Sequence, residues 1–175
     1  MTTPLPDLKD GILLEAGFDD VTPNVPTDIS SWMYDHAAAS GVDVIDNRAR
    51  GVACYDPGYT FVEKLQTIST KFRKQQEKGE FPVHFMRHYY DVYRLLKRPE
   101  VQAFIGTDKY KAHKARRFPR ADNPNIATNE AFLLGDPRTL ATYKVAYAKT
   151  SALYYKDKPT FEEILDVIGD WVDRL

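Results

Sequence analysis

The chain of 175 residues has one cysteine, Cys54, so no internal disulfide can form. No second cysteine and no close pair of histidines offers the spacing of a zinc site. Long apolar runs are missing as well. Nothing approaches the ~18 residues a membrane span requires, and the start, Met1 to Pro6, has neither the basic nor the apolar region of an export signal. Neither sign of charge is in excess: 24 Lys plus Arg face 25 Asp plus Glu, so no global field draws the protein to nucleic acid or an anionic membrane. Gly-rich phosphate loops, a His-Glu-x-x-His motif and a Ser-His-Asp order are all absent, which leaves P-loop, zinc-protease and common hydrolase readings unsupported. The expectation is a soluble protein in the reducing cytoplasm, without a membrane partner, whose binding must come from local patches.

What is present is a composition that is 43% hydrophobic and 13% aromatic, ample for a core. Patterning divides the chain near Pro57, into residues 1–57 and 58–175. Gly11 to Gly17 is a compact apolar run closed by glycines, the pattern of a buried strand that carries one carboxylate, Glu15. Asp19 to Pro26 reads as turn. Thr27-Asp28 has N-cap chemistry before Ile29, Trp32, Met33 and His36, which predicts a helix over 28–39. Two short strands follow, Gly41–Ile45 and Arg50–Tyr55, the second holding Cys54 as a structural thiol.

From Gly58 the period becomes helical. Phe61, Leu65, Ile68 and Phe72 predict a helix to about Glu77, ended at Gly79. Phe85, Tyr89, Val92 and Leu96 predict another over 83–97, ended by Pro99. Shorter helices are predicted over 100–105, 108–117 and 129–134. Asp136-Pro137 opens a long one to about Tyr155, and Thr160 with Glu163 forms a capping box for the last, 161–172. The fold class is α+β, mostly α: a few N-terminal strands of an incomplete sheet, then a C-terminal helical bundle.

Three places could carry chemistry. Lys64 lies about 60° from the Phe61 direction on its helix, at the border of the buried stripe, where an ammonium either snorkels or faces a phosphate. Arg87 and Asp91, at i and i+4, share one face of the next helix and can pair with each other. Asp91 gains meaning if it faces Lys64, because a carboxylate beside a lysine fixes its position and protonation. His88 reads as a polar edge residue. Third, Lys109, Lys111, Lys114, Arg116 and Arg117, with Arg120 beyond, form the one dense basic run, which suits an RNA backbone or an ordinary solvated face.

The segment Phe61-Val-Glu-Lys-Leu-Gln-Thr-Ile-Ser-Thr70, followed about twenty residues later by Arg87-His-Tyr-Tyr-Asp-Val-Tyr-Arg-Leu-Leu96, resembles the third and fourth motifs of the AbiEii/AbiGii nucleotidyltransferase toxin family. Ile12-Leu-Leu-Glu-Ala-Gly17 and Ile29-Ser-Ser-Trp32 are similar to its middle segment. The resemblance implies a polymerase-β-like enzyme of a toxin–antitoxin or abortive-infection pair, which moves a nucleoside monophosphate from an NTP, with Mg²⁺, onto an acceptor such as tRNA. It implies Lys64 as the catalytic lysine and Asp91 as the partner carboxylate, Glu63 and Arg87 as supporting residues, and Glu15 as the acidic strand residue. Residues 1–57 then correspond to a remnant of the nucleotidyltransferase sheet and 58–175 to the helical C-terminal lobe.

The family's opening motif, a Gly-Ser turn followed by Asp-x-Asp, has no counterpart in these 175 residues, and the adjacent Asp19-Asp20 point to opposite sides of an extended chain. No metal ligands are therefore assigned. The expectation is a C-terminal portion that is inactive alone and completed by a separate N-terminal lobe, whether as fragment, split gene or decayed remnant. The competing expectation is a helical module that binds RNA or an antitoxin and performs no chemistry.

Overall fold

The structure, a computed structural model, describes residues 17–19, 21–82, 84–150, 154 and 158–175. The strand expected over 11–17, with Glu15, lies outside them except for Gly17. The described residues form two compact units, one within residues 17–56 and one from Pro57 onward.

The first unit contains a two-stranded antiparallel sheet and one helix. Strand β1 (Asn24–Ile29) pairs with β2 (Ala49–Tyr55) in the register Asn24↔Tyr55, Val25↔Cys54 and Thr27↔Val52, with a bulge before Ile29↔Ala49. The bulge has a chemical lock: the Asp28 carboxylate accepts from the Gly51 amide at 2.9 Å and from Arg50 at 2.7 Å. β2 falls where the pattern predicts it, and Cys54 on it is half-buried. β1 corrects the turn reading of residues 19–26, and the helix expected from Asp28 begins only at Trp32. Pro26 argued against a strand, yet a two-stranded sheet has only edges, where a missing amide costs nothing. The cap of helix α1 (Trp32–Ala39) is Ser31, whose hydroxyl accepts from the Tyr34 amide at 3.1 Å, because Thr27 and Asp28 are already spent on the sheet. Gly41–Ile45 forms no strand. Phe18, Trp32, Met33 and Ile45 stand exposed.

The second unit is helical, in the order α2 (Pro57–Lys78), α3 (Arg87–Leu96), α4 (Pro99–Phe104), α5 (Asp108–Arg117), α6 (Glu130–Leu133), α7 (Pro137–Ala148) and α8 (Phe161–Gly169), with 3-10 turns at Ile126–Thr128 and Val172–Arg174. α2 is its axis. It buries Phe61, Val62, Leu65, Ile68 and Ser69 on one stripe and packs against α3, α4, α5 and α6. It ends at Gly79, whose positive φ of 72° suits glycine and whose amide closes on the Gln75 carbonyl at 2.8 Å. α3 starts later than its apolar stripe suggests, because His84 turns left-handed (φ 57°) and Phe85 closes a turn onto Pro82; Val83 lies outside the described residues. α7 stops at Ala148, before the expected Tyr155, where the Thr150 hydroxyl and amide both bond the Tyr147 carbonyl. α8 stops at Gly169 rather than Val172, and its capping box is present in full.

The core is unusually rich in tyrosine. Tyr143 lies between Phe81, Phe85, Tyr89 and Phe72, with ring centroids 5.0 to 6.2 Å away, and Phe161 joins Tyr89 to Tyr147. Burying a phenol demands a partner for its hydroxyl. Tyr89 donates to the Ala131 carbonyl at 2.6 Å, Tyr147 to Pro159 at 3.2 Å and Tyr110 to Leu175 at 3.0 Å, so each ring ties its helix to a distant backbone.

At the head of α2, Gly58 lies against the Phe104 ring, and a Cβ there would sit 2.6 Å from it. Gly58→Ala is expected to destabilise the unit by about 1–3 kcal/mol, because a packed ring must shift. Urea unfolding measures this; an unchanged midpoint would show that α4 yields freely.

Candidate active site

Burial of the α2 stripe fixes how that helix is rotated, and so which neighbour each polar side chain meets. Lys64 turns toward α3, where its Nζ donates to Asp91 Oδ2 at 2.7 Å. Both side chains keep about a third of their surface in water, 29% and 34%. His88, one turn before Asp91, is buried rather than an edge residue, and its Nδ1 lies 3.8 Å from the same carboxylate oxygen. That is too long for a hydrogen bond, and Nδ1 has no other partner among the described residues.

The electrostatics follow from this arrangement. Burial pushes the Asp91 carboxyl up, but His88 and Lys64 together more than offset it, so the group stays below its ordinary value and ionised. Burial holds the His88 imidazole below 6.5 despite the nearby carboxylate, so at neutral pH it is uncharged and Lys64 is the cation that pairs with Asp91. Two turns further along α2, Lys71 is half-buried, and its pKa is lowered by burial and then by Arg87 and Lys64. Arg87 itself is exposed at the first position of α3. Lys64, Lys71 and Arg87 thus form a group of like charges, of which Lys64 pairs with Asp91.

Glu63 goes elsewhere. Adjacent helical residues point about 100° apart, so while Lys64 faces α3, Glu63 faces α5, accepting from Arg117 at 2.9 Å and lying 3.5 Å from the buried His113 Nε2. Glu63 therefore joins two helices and does not line the Lys64–Asp91 pair. The basic run on α5 is likewise divided. Lys109, Lys111 and Arg116 are exposed, Arg116 also reaching His113 Nδ1 at 3.2 Å. Lys114 is half-buried on the Leu175 carbonyl, and burial pushes its pKa down to about 8. Glu15 lies outside the described residues.

Two features escaped sequence reasoning. Lys71 had a signal, since seven residues from Lys64 on a helix is the same face. The other is a polar cluster further along α2, where buried Asp122 accepts from Thr70 and from Arg73 Nε (2.6 Å) while Asn129 donates to Ser69 at 2.9 Å. A cavity of about 500 Å³ opens beside it, lined by Ser69, Phe72, Arg73, Asp122 and Asn129 among others. Its size does not make it the reactive centre, because its one cation, Arg73, is engaged by Asp122 and Glu77. Nothing in a 500 Å³ space so lined resembles the lysine–carboxylate pairing between α2 and α3.

Among the described residues no three His, Cys, Asp or Glu side chains converge as a metal cage, and of their carboxylates only Asp91 pairs with Lys64. The described residues therefore do not by themselves fit a Mg²⁺ site. No helix among them is long and apolar enough to cross a membrane.

A family model described as nucleotidyl transferase AbiEii toxin, type IV TA system, matches residues 2–167. No curated protein and no solved structure matches the chain.

The buried histidines make a pH prediction. His88 and His113 both titrate below 6.5 when folded, burial being the first cause for each. Below about pH 6.5 the unfolded chain therefore binds more protons than the folded one, and stability falls as pH falls. Asp91 acts in the same direction at lower pH, its stabilisation being present above the unfolded carboxylate value and lost as pH drops through the folded one. Unfolding at pH 7.5 and 5.5 should show a marked loss for the wild type and a smaller one for His88→Gln/His113→Gln. Equal losses in the two proteins would place the acid sensitivity elsewhere.

Proposed function

Because the chain belongs to the nucleotidyl transferase AbiEii toxin family of type IV toxin–antitoxin systems, we propose that its helical unit supplies the lysine and aspartate of a nucleotidyl transfer site. The observation that supports this reading is the 2.7 Å contact of Lys64 with Asp91, which unites the two motifs across α2 and α3. In the proposed reaction an acceptor hydroxyl, such as that of a tRNA end, attacks the α-phosphorus of an NTP. A new P–O bond forms, the hydroxyl proton passes to solvent, the bond from the α-phosphorus to the oxygen bridging to the β-phosphate breaks, and pyrophosphate leaves. The Lys64 ammonium is suited to offset negative charge that grows on the phosphate oxygens, and Asp91 keeps that ammonium aimed. Each works only with the other: without Asp91 the ammonium has no partner to fix it, and without Lys64 the part-buried carboxylate loses its cation.

Membership in this family implies an antitoxin as partner of the system. Mg²⁺ and the NTP belong to the complete enzyme, with the metal held by carboxylates of a separate N-terminal lobe and not by those described. On this reading the 175 residues alone transfer nothing. A second reading, an RNA-binding helical module, is supported by the exposed Lys109, Lys111 and Arg116 on α5; Lys114 and Arg117 are committed within the fold.

Labelled NTPs with bulk tRNA and Mg²⁺ test the first reading. The expected result is no transfer by the chain alone, and transfer with growth arrest once a lobe bearing the Gly-Ser and Asp-x-Asp motif is supplied. Lys64→Ala and Asp91→Ala should then cut activity by roughly 100-fold or more while costing up to about 1 kcal/mol of stability, as a part-exposed pair does. Full toxicity of both variants would refute the assignment. For the second reading, single-stranded RNA affinity should lose about 0.7 of its log–log salt slope for each phosphate contact removed by Lys109→Ala or Lys111→Ala. An unaltered slope would reduce α5 to a solvated face.

A further inference from the structure

His113, Arg116 and Arg117 stand at i, i+3 and i+4 near the end of α5, so they share one face of that helix. His113 is 4% exposed, and Glu63 and Tyr59 face it from α2, with the Tyr59 ring centroid 4.6 Å away. Its two nitrogens have different neighbours. Arg116 Nη2 lies 3.2 Å from Nδ1. A guanidinium can only donate, so Nδ1 accepts and the neutral ring carries its proton on Nε2. Nε2 faces Glu63 Oε1 at 3.5 Å, too far for a good hydrogen bond, and has no partner among the described residues. The other Glu63 oxygen accepts from Arg117 at 2.9 Å.

This arrangement ties the direction of Arg116 to the charge on His113. A proton added at Nδ1 removes the acceptor that Arg116 uses and sets two cations against each other. The same charge draws the Glu63 carboxylate onto Nε2, while its second oxygen can stay with Arg117. Arg116, which is exposed, is therefore the group that leaves. The neighbours act on the ring in these senses: burial opposes its protonation first, Glu63 favours it, and Arg116 and Arg117 oppose it. Linkage makes the relation reciprocal, so whatever draws Arg116 away from Nδ1 makes His113 easier to protonate. The exposed side of α5 shows what could do so. Lys109 and Arg116 are both exposed and seven residues apart, hence on one face and about 10 Å from each other along the axis. A row of cations at that spacing suits successive phosphates of a nucleic-acid strand.

We propose that Arg116 and His113 form a proton-linked phosphate contact on α5: a phosphodiester of single-stranded RNA takes the Arg116 guanidinium from Nδ1, and His113 takes up a proton from solvent and pairs with Glu63. RNA binding and protonation of His113 then strengthen one another, and acidification below neutral pH tightens the complex. Glu63 keeps the buried ring in place in both states, since it faces Nε2 whether the imidazole is neutral or charged. The choice of RNA as the anion rests on the RNA-binding reading of α5, whereas the exchange of partners at His113 rests on the distances within the cluster.

Two measurements on the full 175-residue chain test this. The first follows the His113 ring by NMR through pH, its signals assigned by their proximity to the Tyr59 ring. Arg116→Ala, a change at an exposed position, should raise the pH at which His113 titrates, and Glu63→Gln should lower it; saturating oligouridylate should raise it in the wild type. The second is oligouridylate affinity by fluorescence anisotropy at pH 7.5 and 6.0 at one salt concentration. The wild type should bind roughly threefold more tightly at pH 6.0, as a rise of about one pKa unit on binding gives. Arg116→Ala should lose most of that gain, whereas Lys109→Ala, the same charge change on α5, should weaken binding at both pH values and keep the gain. Matching melting temperatures at each pH show that the variants are folded. The contact is overturned if Arg116→Ala leaves the His113 titration where it was, or if Arg116→Ala gains as much as the wild type on acidification. RNA binding without the pH linkage sinks the contact and leaves the RNA reading standing; no binding at either pH sinks both.

Discussion

The rotation of α2 is the constraint on which the rest of this unit depends. Phe61, Leu65 and Ile68 are fully buried, and withdrawing each from water is worth about 1.5–3 kcal/mol. No single polar contact on the same helix competes with that sum. Once the stripe faces inward, the bordering residues have no choice of neighbour: Lys64 meets α3, Glu63 meets α5, and Arg73 meets the loop carrying Asp122. The candidate site is thus a consequence of apolar burial, with its charges placed by packing and then tuned by one another.

That tuning is uneven along the helix. At the Glu63–Arg117 and Arg73–Asp122 contacts each cation meets an anion, and these pairs fasten α2 to α5 and to the loop before α6. Near Asp91 the balance differs: Lys64 pairs with the carboxylate beside a neutral histidine, while the like charges of Arg87 and Lys64 press on Lys71. A unit held by tyrosines that bond to distant carbonyls can bear such local repulsion, because its stability comes from the aromatic core and not from the polar rim. The same logic divides the two units: residues 17–56 make a sheet of two strands, which is marginal without further burial, and leave large apolar side chains in water.

Much of the helical unit was legible in the sequence, for a local reason. Apolar spacing, Gly79, Pro99, the Asp136-Pro137 pair and the Thr160/Glu163 box each act within a few residues, so α2, α5 and α8 start where the pattern places them. Errors arose where a local signal had a tertiary competitor. Thr27 and Asp28 look like a helix cap but serve β1, and the bulge at Asp28 is held by Arg50 and Gly51, more than twenty residues away. Lys114 looks like part of an RNA-facing run but is drawn inward to the Leu175 carbonyl, sixty-one residues distant.

By itself the sequence determined the family, the mostly helical class, and the presence of Lys64 at the border of a buried stripe with Asp91 on the next helix, because periodicity and motif spacing are properties of a chain read in order. Only the tertiary structure decided that these two side chains meet, that Glu63 and Arg117 turn away to clamp α5, that His88 is buried and neutral, and that Lys71 and Arg87 have no carboxylate at ion-pair distance among the described residues. Those outcomes depend on which helix lies against which, and on how much water is left between them. Both are set by the burial of residues far apart in the chain, so no local pattern records them.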